Sequence, residues 1–321
     1  MVRLLTAFFP RLIPPRFTGS KGWRSRRGLA AFTIAAVFTS ICPGQGNPTE
    51  EAAWVAFTGA QPPEATVKYV ENGAENQALE IYSPPGKREP GKLAPVLILV
   101  HGGGWSRGTR EALAPHARYF AARGWVCVNI SYRLTSEPGV TLVEAQADVR
   151  AALAWVRSEA EKRGWDPARI CALGESAGGQ LVCALGLLPP EPERWRVRSL
   201  VLVNPVLDLT TLGWALTTRG LQEAGPVNPA TAAQHPAGLA SPLFYLTRDT
   251  PPILLLQGRK DVTVPMAQAE AFAARAKAVG ASVELVVLEN SAHAFLLREI
   301  GRPDEIRAAL SRIADFLPRP E

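Results

Sequence analysis

The sequence predicts an α/β fold: a mostly parallel central sheet with an antiparallel leading hairpin at one edge and helices on both faces. Three observations predict it. Short apolar runs alternate with stretches of helical spacing from about residue 65 to residue 321. The connections between them are short, as parallel β-α-β units require. The runs are apolar at consecutive positions rather than at alternate ones, which marks strands covered on both faces.

The elements follow in order. Thr66–Val70 and Ala78–Tyr82 read as short strands joined through Asn72-Gly73, a hairpin signal, and Pro84-Pro85-Gly86 then breaks the chain. Pro95–Val100 (PVLILV) is a buried strand, 111–123 a helix ended by Gly124, and Trp125–Ile130 another buried strand. Thr141–Arg163 has Leu142, Ala145, Val149, Ala152, Leu153 and Val156 on one side, the spacing of a helix, and Gly164 closes it. Arg169–Leu173 reads as a strand, Ala177–Leu188 as an apolar helix and Val197–Val203 as a strand. Residues 207–250, rich in Gly, Pro and Thr, interrupt the alternation and are expected to form a small lid-like insertion. Ile253–Gln257, Pro265–Val279, Val283–Leu288 and Arg302–Phe316 complete the series as strand, helix, strand and amphipathic helix.

Length and charge narrow the function. The 321 residues, 47% apolar, suffice for one good core. The formal charge of +6 suggests nucleic acid until its distribution is examined. Seven bases and no acid lie in residues 1–46, leaving 28 bases against 29 acids in the remainder. The basic character therefore belongs to the first segment, and a nucleic-acid partner is excluded. In that segment Leu29–Cys42 is an apolar run behind basic residues, too short for a stable membrane span, followed by Pro43-Gly44-Gln45-Gly46. Residues 1–46 are expected to be a bacterial export signal, giving a periplasmic or extracellular protein, with 47–64 as a linker and 65–321 as the catalytic domain. Arg26-Arg27 resembles a twin-arginine signal; an ordinary secretory signal is the alternative. Cys127, Cys171 and Cys183 lie in apolar runs and read as small buried side chains, and no metal-ligand spacing is present.

Gly174-Glu175-Ser176-Ala177-Gly178-Gly179 sits between a strand and a helix. A serine on so sharp a turn stands clear of the sheet, and small neighbours let the adjacent backbone approach. His101-Gly102-Gly103-Gly104-Trp105 follows the strand Pro95–Val100, and its glycines can aim N–H groups at a developing oxyanion. Gly103, Gly104 and Ala177 are the candidate donors. A serine nucleophile needs a base, and the base an orienting carboxylate. Of the four histidines, His293 follows the last strand, on the same sheet edge as Ser176; His116 falls in a helix, where an exposed position is expected, and His235 in the insertion. Asp261 and Asp208 both lie between serine and histidine in the chain. Chain order cannot separate them; Asp261 is favoured because its loop directly precedes the helix and strand that deliver His293. Trp105, His101, Glu175 and Trp214 are the candidate substrate-contacting residues, with His101 expected to pin its loop and Trp105 to wall a pocket. This chemistry requires no metal or organic cofactor.

With HGGGW at 101–105, SYRL at 131–134, the Asp148 helix, WDPARI at 165–170, GESAGG at 174–179, residues 241–265 and SAHAF at 291–295, the chain resembles the esterase/lipase branch of the α/β-hydrolases. It is most similar to bifunctional acetylxylan/feruloyl esterases and hormone-sensitive-lipase-like carboxylesterases, over residues 65–318. The resemblance implies an α/β-hydrolase fold, a triad of Ser176, Asp261 and His293, and hydrolysis of short-chain acyl esters, with acetyl or feruloyl groups on a polysaccharide as the favoured substrate. A general short-chain carboxylesterase, a peptidase or lactonase of the same fold, and a non-catalytic binding module are the alternatives. Glu175 stands where the lipase-like branch has Asp, which leans toward the acetylxylan type. The short segment before the first strand leaves no room for a large helical cap. The partner is a small ester or acylated carbohydrate, and the sequence is silent on oligomeric state.

Overall fold

The structure, a computed structural model, describes residues 48–86, 89, 91–189, 192–212 and 235–320. The expected signal at 1–46, residues 213–234 of the insertion, and Trp214 with them, lie outside the described residues.

Eight strands form one sheet: β1 (Ala65–Lys68), β2 (Ala78–Tyr82), β3 (Ala94–Val100), β4 (Val126–Ile130), β5 (Trp165–Glu175), β6 (Leu200–Val203), β7 (Ile253–Gly258) and β8 (Val283–Leu288). Their order is β1-β2-β4-β3-β5-β6-β7-β8. β1 pairs antiparallel with β2, and β2 with β4; every other pair is parallel. The predicted leading hairpin is thus present at one edge.

β3 is buried at every position because side chains of alternate residues enter two different cores. Val96, Ile98 and Val100 pack with α3 (Leu142–Arg163), α4 (Ala177–Val182) and α7 (Met266–Val279). Leu97 and Leu99 pack on the other face with α1 (Pro48–Thr58), α2 (Ala114–Ala122) and α8 (Pro303–Phe316). Two single-turn helices, α5 (Pro192–Trp195) and α6 (Pro236–Leu239), complete the described elements of this type. α3 begins at Thr141, which forms a capping box with Glu144, and ends at Gly164 in the left-handed conformation.

Two expectations are corrected. Residues 47–64 are not simply a linker: α1 docks on the domain, with Ala53 and Phe57, four residues apart on one face, buried in the second core. Its polar face carries Glu50, which accepts from the Tyr119 hydroxyl at 2.8 Å and pairs with Arg123, so a helix with acidic residues in its first turn resembled a linker. The helix expected over Ala177–Leu188 stops at Val182. The chain then turns, and buried Arg150 of α3 donates to the carbonyls of Ala184, Leu188 and Pro189.

Candidate active site

Parallel strands bring their carboxyl ends to one edge, and ligands of such sheets bind beyond that edge. β3, β5, β7 and β8 end in the loops that carry Gly103, Ser176, Asp261 and His293.

Ser176 directly follows β5 with φ 54° and ψ −118°, a backbone that L-residues avoid. The turn closes through glycine contact: a Cβ on Gly178 would stand 2.1 Å from the Val100 carbonyl oxygen of β3. No larger residue lets the two strand ends approach so closely. The serine hydroxyl is thereby lifted toward the next loop, where Oγ lies 2.9 Å from His293 Nε2.

His293 Nδ1 lies 2.7 Å from Asp261 Oδ2. The Asp261 side chain is fully buried, and its carboxylate is saturated. Oδ1 accepts from the N–H of Thr263 and Val264, at 2.9 and 2.8 Å; Oδ2 accepts from Gln257 Nε2 as well as from His293. Burial opposes protonation of His293, but its hydrogen bond to Asp261 and the charges of Asp261 and Glu175 outweigh that and raise its pKa above the ordinary value. Asp208, the rival carboxylate, accepts instead from Thr210 N–H at 2.9 Å and caps a short 3₁₀ turn at Leu209–Thr211. The geometry therefore selects Asp261.

The N–H groups of Gly103, Gly104 and Ala177 have no hydrogen-bond acceptor among the described residues. Gly103 and Gly104 have φ of 105° and 57°, and a Cβ on Gly103 would strike the Arg107 carbonyl at 2.1 Å. Unsatisfied donors in a loop beside a nucleophile are what an oxyanion site presents before its ligand arrives.

Three expected substrate contacts are corrected. His101 is buried, stacked on Tyr132 at 4.5 Å, with Nδ1 2.7 Å from the Gly102 carbonyl; it pins the loop, as expected, and cannot touch a substrate. Burial lowers its pKa to about 4, so it stays neutral. Trp105 has no exposed surface, and its indole donates to Gln180 in the core. Glu175 is 3% exposed, with its carboxyl packed under Gly102: a Cβ there would meet Oε2 at 2.2 Å. Its Oε1 is buried without a partner, and burial pushes its pKa up to about 7, with His293 acting against that rise and Asp261 adding to it. His116, expected at the surface, is fully buried, with Nε2 2.9 Å from the Leu296 carbonyl just beyond His293.

Sequence reasoning missed Asn204. It sits after β6 with φ 42°, accepts from Gly258 N–H at 2.8 Å and donates to the Ala292 carbonyl at 3.2 Å. It ties the Asp261 loop to the His293 loop. Its one signal is an Asn-Pro pair directly after an apolar strand.

Among the described residues no cluster of three or more His, Cys, Asp or Glu could hold a metal, and no helix is long and apolar enough to cross a membrane. Cys127, Cys171 and Cys183 are free and buried.

The BD-FAE family model matches residues 79–276, more than half of the chain and both the nucleophile turn and the Asp261 loop. The chain belongs to the BD-FAE family. LipM of Mycobacterium tuberculosis, named a probable carboxylic ester hydrolase, is 34% identical over 242 residues, 71% of this chain and 55% of that protein. The esterase LipQ of the same organism is 32% identical over 273 residues, covering 78% of this chain and 61% of its own length. The chain thus spans little more than half of the length of these curated relatives. Esterase 2 of Thermogutta terrifontis phosphorylated by paraoxon superposes with a TM-score of 0.66 at 29% identity, over 79% of this chain and 92% of that one. Its propionate-bound form gives 0.65 at 29% identity, over 80% and 94%. The BD-FAE chain has the α/β-hydrolase fold of these esterases.

Proposed function

We propose that this BD-FAE protein is a serine carboxylic-ester hydrolase that works through an acyl-enzyme. The observation that carries the proposal is the continuous hydrogen-bonded line from Ser176 Oγ through His293 to Asp261. His293 Nε2 takes the hydroxyl proton as Oγ attacks the ester carbonyl, and the imidazolium so formed is held by the Asp261 carboxylate. The carbonyl oxygen becomes an oxyanion and takes the donors of Gly103, Gly104 and Ala177; each such donor is worth about 2.7–4 kcal/mol of barrier. His293 then protonates the leaving alcohol, and a water deprotonated by the same nitrogen releases the acid.

The substrate proposed is a short-chain acyl ester, with acetyl or feruloyl groups on an extracellular polysaccharide as the natural target. Membership of BD-FAE supports it, as does a solved neighbour that holds propionate. Export through residues 1–46 belongs to the same proposal and would bring enzyme and polysaccharide together.

Hydrolysis of p-nitrophenyl acetate, butyrate and octanoate, beside release of acetate from acetylated xylan, tests it. Turnover greatest on acetate, with acetate released from xylan, is the expected result. Fast turnover of the nitrophenyl esters with no release from xylan would leave a general short-chain carboxylesterase. Folded protein inactive on all of them would overturn the enzyme proposal.

A further inference from the structure

We propose that Gln180 is a positioning residue for the oxyanion loop, one that couples this loop to the returning foot of the 207–250 insertion. The inference rests on the esterase proposal above and adds to it a residue outside the triad and the oxyanion donors.

The oxyanion loop has an unusual backbone. Gly103, Gly104 and Trp105 all have positive φ, at 105°, 57° and 60°. Glycine accepts this without cost, but tryptophan does not, so something must hold the third residue there. The Trp105 carbonyl accepts from Thr135 N–H at 2.9 Å. Its indole Nε1–H donates to Gln180 Oε1 at 3.1 Å, and both side chains are fully buried. Rotation of Trp105 to an ordinary backbone would pull the indole from this acceptor and swing the Gly104 peptide with it.

Gln180 is well placed to be the fixed point. It lies one helical turn beyond Ser176 in α4, with its own N–H on the Ser176 carbonyl at 3.3 Å. The distance from nucleophile to loop anchor is therefore set by a single turn of helix. The other half of its amide is also engaged: Nε2 donates to the Ala240 carbonyl at 2.8 Å. The next residue, Ser241, accepts from Leu209 N–H at 2.8 Å and donates to the Ala237 carbonyl at 2.7 Å, so the two feet of the insertion are bound to each other there. Gln268 of α7 accepts from the N–H groups of Leu207 and Asp208 on the outgoing foot. Hydrogen bonds, joined through the Ala240–Ser241 peptide, thus connect the insertion's feet through Gln180 to Trp105. The primary amide serves both ends at once, its oxygen accepting from Trp105 and its nitrogen donating to Ala240.

The test uses Gln180→Leu, Trp105→Phe and the double variant, with ester kinetics and two ligands. A trifluoromethyl ketone adds Ser176 and forms an oxyanion; the matching methyl ketone fills the pocket without doing so. Each variant is expected to lower kcat about 10- to 100-fold, the range of one weakened oxyanion contact, with KM within about twofold. Affinity for the trifluoromethyl ketone should fall by the same factor as kcat, and that for the methyl ketone should not change. The double variant should lose little beyond either single one, since both break one link. Gln180→Met, similar in volume, guards against a packing defect, and should match the leucine variant. Variants that melt earlier yet keep kcat and trifluoromethyl ketone affinity would overturn the role, as would equal loss of both ketones. Failure of the esterase proposal itself looks different: the wild-type protein would then hydrolyse no ester and form no adduct.

Discussion

Gln257 donates its side-chain amide to the same Asp261 oxygen that bonds His293, at 3.2 Å, and to the Val264 carbonyl at 3.0 Å. The end of β7 thereby fixes the rotamer of the carboxylate that bonds the histidine. Gln257→Leu removes a donor to a buried charge. It is expected to destabilise the fold by about 1.5–3 kcal/mol and to lower kcat more than it raises KM, as read by urea unfolding and ester kinetics.

Asn204 supports the partner loop. Asn204→Ala leaves the Gly258 N–H without its acceptor and frees the Ala292 carbonyl next to His293. A loss of about 1–3 kcal/mol is expected, with a fall in kcat. Asn204→Gly, which keeps the positive φ but not the hydrogen bonds, should recover only part of the stability.

In the proposed mechanism attack by Ser176 requires neutral His293, so kcat/KM should rise with pH along a limb set by the histidine, placed above the ordinary histidine value because its pKa is raised. The Glu175 carboxylate contributes to that rise. Glu175→Gln should therefore move the limb to lower pH, visible in the pH profile of kcat/KM. A limb that stays in place would contradict the coupling.

Glu175 also predicts a stability effect. Its folded pKa is about 7 against an ordinary value of 4.5, so the folded state holds the proton more tightly. Its contribution is full below about pH 4.5 and is lost as pH rises through about 7. Glu175→Gln should thus gain stability over wild type at pH 8, by up to about 3 kcal/mol, and gain little at pH 4.5. Urea unfolding at the two pH values measures this.

Phe57 anchors α1 in the core. Phe57→Ala is expected to cost about 3–5 kcal/mol, measured by thermal unfolding, whereas a tethered linker would show no effect.

The sheet was legible because its strands are continuous apolar runs bounded by glycine and proline, and β2 and β8 begin and end where the pattern places them. The grouping of Ser176, His293 and Asp261 was legible because each follows a recognisable strand. Chain order could not separate Asp261 from Asp208; the place of the Asp261 loop favoured it, and the distance to His293 tells the orienting carboxylate from the cap of a short turn. Burial was the property least visible. Trp105 and Glu175 sit in motifs that suggest contact with ligand, and His116 sits beside a proline that suggests the surface, yet all three are covered by elements far away in the chain. The partner groups Gln180 and Gln257 were invisible, and Asn204 nearly so, because a polar side chain at a strand end or in a helix announces little until its hydrogen bonds are known.

The most direct measurement is peptide mapping by mass spectrometry after reaction with paraoxon. One diethyl phosphoryl group per chain is expected, on the peptide holding Ser176, with release of one p-nitrophenolate and loss of all esterase activity; the Ser176→Ala protein should take up none. Labelling at another residue, or a Ser176→Ala protein that still hydrolyses esters, would contradict it.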